Sequence, residues 1–312
     1  MELTRNNVSD RTLETCRQTM NTAAKSFSFA SVFFSKEAMS GAQLLYGWCR
    51  YCDDQIDEAP SSEEASQRLE HLQSSTRLAL EGKASDQNDY FKALSFLADR
   101  YKIPEYYAME LLAGMKMDSS EFKYNSEKEL DLYCFRVAGV VGLMMTHIMG
   151  VNDENALDEA VAAGIAMQLT NISRDILEDF ENNRIYIPKS WFEEMELNYP
   201  PRDREELIES AYALAPKLVF RAEEFYTKGK EGLIHLPFRA ALAVSSAIEI
   251  YSAIGHKVIL RGRHAWNTRT YIPKWKKVLL AAKGMARVFL QIPRRVVKPW
   301  KPVPLNKVWR FK

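Results

Sequence analysis

Glycine and proline are scarce in this chain, 13 and 12 of 312 residues, and several of them gather at a few breaks: Pro60, Gly82, Pro104, Pro188, the Pro200-Pro201 pair and Pro237. Between the breaks, apolar residues recur at helical spacing over 13–35, 41–56, 62–81, 89–101, 106–118, 129–149, 157–179, 201–226, 238–259 and 275–292. No alternating run suggests a sheet. No repeat of about 20–50 residues and no low-complexity linker divides the chain. The expected architecture is one all-α domain over residues 1–312, a helical bundle whose ligand site lies between facing helices.

Cysteine is equally sparse. The four residues, Cys16, Cys49, Cys52 and Cys134, are too few for a disulfide scaffold. Cys49-x-x-Cys52 has no second Cys/His pair and runs straight into Asp53 on one helical pattern, so packing is expected there rather than zinc or redox chemistry. Reduced thiols imply a cytoplasmic setting. The polar segment from Met1 to Asp10 does not lead into an apolar stretch, and no signal peptide is expected. The most apolar run, 137–151, is short for a bilayer and is broken by Thr146 and His147, so no transmembrane helix is expected. The five histidines show no ligand spacing, and no serine or cysteine is paired with a histidine as a nucleophile. Zinc-finger and RNP-type motifs are missing, which argues against nucleic acid as a partner.

Acidic residues stop early. Glu249 is the last, and 16 of the 42 Lys and Arg follow it, leaving 26 basic against 41 acidic residues before that point. A net charge of +1 thus hides a body at −15 and a basic end at +16. Such an end suits diphosphates or anionic headgroups.

Two acidic clusters share one form: Asp53-Asp54-Gln55-Ile56-Asp57 and Asp175-Ile176-Leu177-Glu178-Asp179. Each sets carboxylates at i and i+4, so on a helix both lie on one face, about 6 Å apart at Cβ. Mg²⁺ is held by one or two protein carboxylates, with phosphate oxygens and water completing its shell. An arginine accompanies each cluster, Arg50 and Arg174, and 122 residues separate the clusters, which allows them to oppose each other across a bundle. That pattern points to a diphosphate held through magnesium, with metal and arginine neutralising the charge that grows as a C–O bond breaks. Ser26-Phe27-Ser28-Phe29 and Val137-Ala138-Gly139-Val140-Val141-Gly142 would line the remainder of the pocket, aromatic faces steadying a carbocation and small residues leaving room for an isoprenoid. A solvated helix face is the plain alternative for each cluster, and Arg174 has an alternative partner in Glu178 at i+4.

The motifs Arg50-x-x-Asp53-Asp54-x-x-Asp57, Val137-Ala138-Gly139-x-Val141-Gly142 and Gln168-Leu169-Thr170-Asn171-Ile172-x-Arg174-Asp175-x-x-Glu178-Asp179 resemble those of the squalene/phytoene synthases. Asn183-Arg184-x-Tyr186-x-Pro188 fits the same pattern. The resemblance spans roughly residues 10–290, and Tyr46-x-Trp48-Cys49-Arg50-x-Cys52-Asp53-Asp54 looks nearest to the bacterial phytoene-forming branch. It implies an isoprenoid-synthase fold with a central apolar cavity and a head-to-head condensation of two geranylgeranyl diphosphates to phytoene through prephytoene diphosphate, in carotenoid biosynthesis. By the same resemblance Asp53, Asp57, Asn171, Asp175 and Asp179 hold Mg²⁺, with Mn²⁺ as a substitute, and Gln168 helps position the assembly. Ser26, Phe27, Arg50, Gln168, Arg174, Tyr251, Arg269 and Lys277 contact substrate or diphosphate, and Tyr133 joins the four aspartates among the catalytic residues. Lys25 and Ser26 lie where a family helix covers the phosphates.

The nearest rival joins two farnesyl diphosphates to dehydrosqualene or squalene. Ser31 is small where a bulky side chain would shorten the pocket, which favours the longer substrate. A terpene cyclase and a non-catalytic scaffold of the same fold are more distant alternatives; both clusters being intact Asp-x-x-x-Asp favours condensation. The segment 275–292 sets Lys276, Lys283 and Arg287 against Val278, Ala282, Met285, Phe289 and Ile292, fitting either a last bundle helix with its apolar side inward or an interfacial helix. The tail 293–312 adds Trp300 and Trp309 to cations, so peripheral contact at the inner face of the membrane is expected, with a desaturase as the downstream partner.

Overall fold

The computed structural model describes residues 8–23, 25–84, 86–120, 122–151, 153–154, 156–293 and 308–311, without the side chains of 23 and 25–27. Among these residues there is no strand. The helices are α1 (Asp10–Ala23), α2 (Lys25–Ser31), α3 (Lys36–Asp57), α4 (Ser62–Leu80), α5 (Asp89–Tyr101), α6 (Glu105–Ser119) and α7 (Glu127–Cys134). A π-helical segment, Phe135–Gly139, joins α7 to α8 (Val140–Ile148). Then come α9 (Ala156–Glu181), α10 (Lys189–Glu194), α11 (Arg204–Glu231), α12 (Phe238–Arg261) and α13 (Lys274–Leu290), with 3₁₀ turns at Gly232–His235 and Gly262–Trp266.

The expected helix over 13–35 is two helices. Ser35 stands outside them as the N-cap of α3, its hydroxyl accepting from the Ala38 N–H at 3.2 Å. Ser126 and Glu129 form a reciprocal cap at the start of α7. The expected helix over 129–149 contains the π turn, which shifts the phase between Tyr133 and the residues of α8.

The central helix is α9, packed against α11, α12, α8 and the π segment. It runs antiparallel to α8, and glycine lets the two backbones touch: a Cβ on Gly142 would stand 2.5 Å from the Ala160 carbonyl oxygen, and one on Gly164 would stand 2.4 Å from that of Ala138. The small residues of Val137-Ala138-Gly139-x-x-Gly142 therefore serve helix approach first, and the room they leave for a ligand follows from it. Glu127–Ile148 is the one described helical run apolar enough to cross a membrane by length and composition. Here it sits between α6 and α9, with Leu130, Phe135, Val140 and Leu143 fully buried. The four cysteines are free, and Cys52 packs at the core beside Trp48.

Candidate active site

The two carboxylate clusters are on facing helices. Asp53 and Asp57 share a face at the C-terminal end of α3, where Arg50 reaches Asp53 at 3.0 Å and Asp54 at 2.6 Å. Asp175 lies at a kink in α9, with φ −106° and ψ 15° where the rest of the helix is regular. Two arginines hold that carboxylate: Arg174, whose Nε donates at 2.8 Å, and Arg269, from the segment after α12, at 3.2 Å. Arg269 also stands 3.6 Å from the exposed Glu178. Arg174 thus pairs with its neighbour Asp175 and not with Glu178. The decisive contact comes from Arg184, just past α9, which donates to Asp57 of α3 at 2.6 Å. The end of the second motif therefore touches the first.

Asp118, at the end of α6, lies between them. Tyr186 donates to one of its oxygens at 2.7 Å and Tyr133 to the other at 3.1 Å. Its charge is felt at both Asp53 and Asp179. Withdrawal from bulk water, then the charge of Asp57, pushes Asp53 up to about 7, although two-fifths of its side chain remains open to the cleft. Burial, then Asp175, pushes Asp179 up to about 8, and burial raises Asp118 to about 6 against the opposing pull of Arg184 and the two tyrosines. Four arginines, Arg50, Arg174, Arg184 and Arg269, do not offset the negative charge gathered here. A hard, oxygen-seeking cation fits this donor set. Among the described residues no three Asp, Glu, His or Cys side chains converge into a cage for an ion by themselves. A cation that keeps water and takes phosphate oxygens needs no such cage.

Beside the clusters opens a cavity of about 1560 Å³, larger than the roughly 300–1,000 Å³ typical of small-molecule pockets. One wall is a stripe of α9: Ala156, Ala160, Ala163, Met167, Asn171 and Arg174. At 1.5 Å per residue that stripe is about 27 Å long. The adjoining wall, from the π segment and α8, carries Val137, Val141, Met145 and Met149. Arg50, Asn171, Arg174, Tyr251, Arg269 and Lys277 reach the lining at one end, and the far end near Met149 and Leu236 is apolar apart from Thr146 and Glu159.

Of the residues anticipated from the sequence, the structure brings together Asp53, Asp57, Asp175 and Asp179 with Arg50, Arg174 and Arg269. Asn171 donates to Gln168 at 3.4 Å on the same turn of α9, and Lys277 is buried against the cavity. Tyr133 is buried beneath the clusters rather than on the cavity wall. The side chains of Lys25, Ser26 and Phe27 lie outside the described residues, whereas Phe29 lines the cavity. Ser31 does not gauge its depth: it is buried off the lining, its hydroxyl spent on the Ser28 carbonyl at 3.0 Å. Asp118, Arg184 and Tyr186 escaped the sequence reading as functional residues. The last two stand in a recognised motif, but a lone aspartate at a helix end carries no signal of its own.

At the C-terminus the structure decides which side of α13 turns inward. On α13 the inward positions are Lys277, Ala281, Gly284 and Val288, because Gly284 lies against the backbone of Ser245. Lys283 and Arg287 bridge to the buried Glu249 at 2.7 and 2.8 Å, and the apolar stripe faces outward. Trp309 packs against the body of the chain. Its ring rests on Phe135 at 4.9 Å, its indole N–H donates to Asp158 at 2.5 Å, and Arg310 lies over Tyr106. Residues 294–307, with Trp300, lie outside the described residues.

Known proteins resemble this chain in sequence and in fold. The squalene/phytoene synthase family matches residues 20–276. The chain is 39% identical over 279 residues to a 15-cis-phytoene synthase of Pantoea ananas, covering 86% of this chain and 90% of that one. It is 38% identical over 301 residues to one of Enterobacter agglomerans, covering 91% and 100%. Among solved structures, a dehydrosqualene synthase in complex with ligand superimposes with a TM-score of 0.80 at 25% identity, over 90% of this chain and 97% of that chain. A squalene synthase from Alicyclobacillus acidocaldarius shares the fold, with a TM-score of 0.68 at 24% identity over 82% and 94%.

Proposed function

We propose that this chain, which belongs to the squalene/phytoene synthase family, is a prenyltransferase that joins two geranylgeranyl diphosphates head to head, releasing diphosphate and forming phytoene. The observation that carries the reading is the pairing of facing carboxylate clusters with a long apolar cavity. A geranylgeranyl chain of about 16 backbone carbons, advancing about 1.3 Å per bond, extends about 20 Å. The stripe of about 27 Å along α9 holds that length with the diphosphate at the Asn171–Arg174 end. Asp53, Asp57, Asn171, Asp175 and Asp179 are the residues that would hold Mg²⁺, or Mn²⁺ in its place. The bound ions would supply Lewis-acid neutralisation of the diphosphate. Arg50, Arg174, Arg269 and Lys277 add fixed positive charge where the leaving group gains negative charge. Tyr46 and Tyr251 turn aromatic surface towards the same end, and the apolar walls keep water from a cationic intermediate.

The similarity to the dehydrosqualene synthase favours a second reading, with farnesyl diphosphate as substrate. Incubation of the purified protein with Mg²⁺ and each diphosphate separately distinguishes the two. A C40 hydrocarbon from geranylgeranyl diphosphate is expected, and a C30 product with none at C40 would overturn the first reading.

We further propose a peripheral position on the cytoplasmic face of a membrane. Trp275, Leu279 and Leu290 on the outer side of α13 are 66, 60 and 82% exposed, on an end of the chain with no carboxylate. The first turn of that helix borders the cavity through Pro273, Lys274 and Lys277, so a hydrocarbon product would have a short route into lipid, towards a desaturase that consumes it.

A further inference from the structure

We infer that Asp118 is a positioning residue that sets the gap between the two carboxylate clusters, through the hydroxyl of Tyr186 and the guanidinium of Arg184. The inference rests on the reading of those clusters as the metal–diphosphate site and assigns a role to a residue outside its motifs.

Asp118 ties together four parts of the bundle. Its own place is on α6; one oxygen accepts from Tyr133 of α7, the other from Tyr186 in the segment after α9. The two phenol rings stack at 4.7 Å between centroids, and Tyr124 meets both at 5.5 and 5.6 Å. Two residues before Tyr186, Arg184 spans to Asp57 on α3. The segment 182–188 is thus fixed by Asp118 on one side and carries, on the other, the side chain that joins the second cluster to the first. The backbone beyond it is anchored by the Lys189 N–H on the Tyr124 carbonyl at 2.7 Å. Arg184 is tied to α9 by its own N–H, which donates to the Asp179 carbonyl at 2.8 Å, and to α3 by its guanidinium on Asp57.

A buried carboxylate is costly unless its oxygens are satisfied. Here both are, by hydroxyls from separate elements, with the Arg184 charge close by. Neither Asp118 nor Tyr133 is on the cavity wall, so the arrangement acts by placing other groups. Loosening it would let the clusters drift apart, and a misplacement of about 1 Å costs on the order of 100-fold where several groups must engage one ligand.

The test is binding without turnover: calorimetric titration of inorganic diphosphate, in the presence of Mg²⁺, into the full chain. Wild type, Asp118→Asn, Tyr186→Phe and the double variant are compared, with thermal unfolding of each. Each single change is expected to weaken binding by about tenfold, and the double variant to bind no worse than the weaker single one, because both remove the same link. Tyr186→Phe removes one hydroxyl and keeps the test valid if Asp118→Asn fails to fold. Affinities within about twofold of wild type, whatever the change in melting temperature, would overturn the inference, as would independent, multiplying losses. No binding by wild type would overturn the metal–diphosphate reading itself and the inference with it.

Discussion

The two ends of α9 solve opposite problems with one helix. Its first half, Ala156 to Gly164, presses its backbone against α8 through glycine and alanine, and what remains of that face is an apolar wall. Its last turns break regularity at Asp175 and present carboxylates that Arg174 and Arg269 only partly neutralise. The first half gains stability from dispersion and burial. The second holds charge in a place where charge is unfavourable, which is the usual state of a site that awaits a ligand of opposite sign. The lesson is that the binding end is the less stable end.

The sharpest way to break the contrast is at the charged end. Asp53→Asn or Asp175→Asn should lower turnover at least about 100- to 1,000-fold, while far-ultraviolet circular dichroism stays helical. Near wild-type activity in either variant would mean the metal ligands are elsewhere. At the other end, Met149→Trp should fill the apolar extremity and leave the clusters alone. The expected result is a shift from C40 to C30 hydrocarbon when both diphosphates are offered, read by gas chromatography. Unchanged product length would place the depth gauge on another wall.

A smaller effect is expected outside the cavity. Replacing Leu279 and Phe289 together by Glu should abolish co-sedimentation with anionic vesicles while activity in detergent remains within about twofold, since both side chains are more than half exposed. Loss of activity in detergent would count against a surface role. The smallest effect concerns stability. Asp53 and Asp179 have folded pKa values raised to about 7 and about 8, above an unfolded value of 3.8. Between those limits the folded chain retains protons that the unfolded chain has released, so stability falls as pH rises from about 5 to 8. The metal-free protein should therefore melt a few degrees lower at pH 8 than at pH 6, and Mg²⁺ with diphosphate should narrow the difference. A melting temperature that rises over that window would contradict the assignment.

Much of this was legible in the residues. Helical periodicity located most elements, because an apolar stripe at 3.6-residue spacing is a local property. The aspartate pairs were equally plain, since i and i+4 spacing needs no knowledge of the fold. Asp118 was not legible, for its meaning depends on tyrosines 15 and 68 residues away meeting at one carboxylate. The facing of α13 was left open between two readings for a related reason. Its pattern is amphipathic, but Gly284 and the buried Glu249 decide which side turns inward, and both act through tertiary contact. Ser31 shows the same limit: a small side chain was legible, its hydrogen bond to Ser28 was not.

The π turn at Phe135–Gly139 carries one extra residue for its length of axis. Deleting a single amino acid there would restore ordinary winding and swing everything upstream by about 100°. Tyr133 would then point away from Asp118, while Val141 and Met145, downstream of the turn, kept their stations on the cavity wall. A frame of one residue, inserted where two halves of a long helix need different orientations, lets the same rod serve as a hinge pin for the tyrosines and a smooth panel for the hydrocarbon.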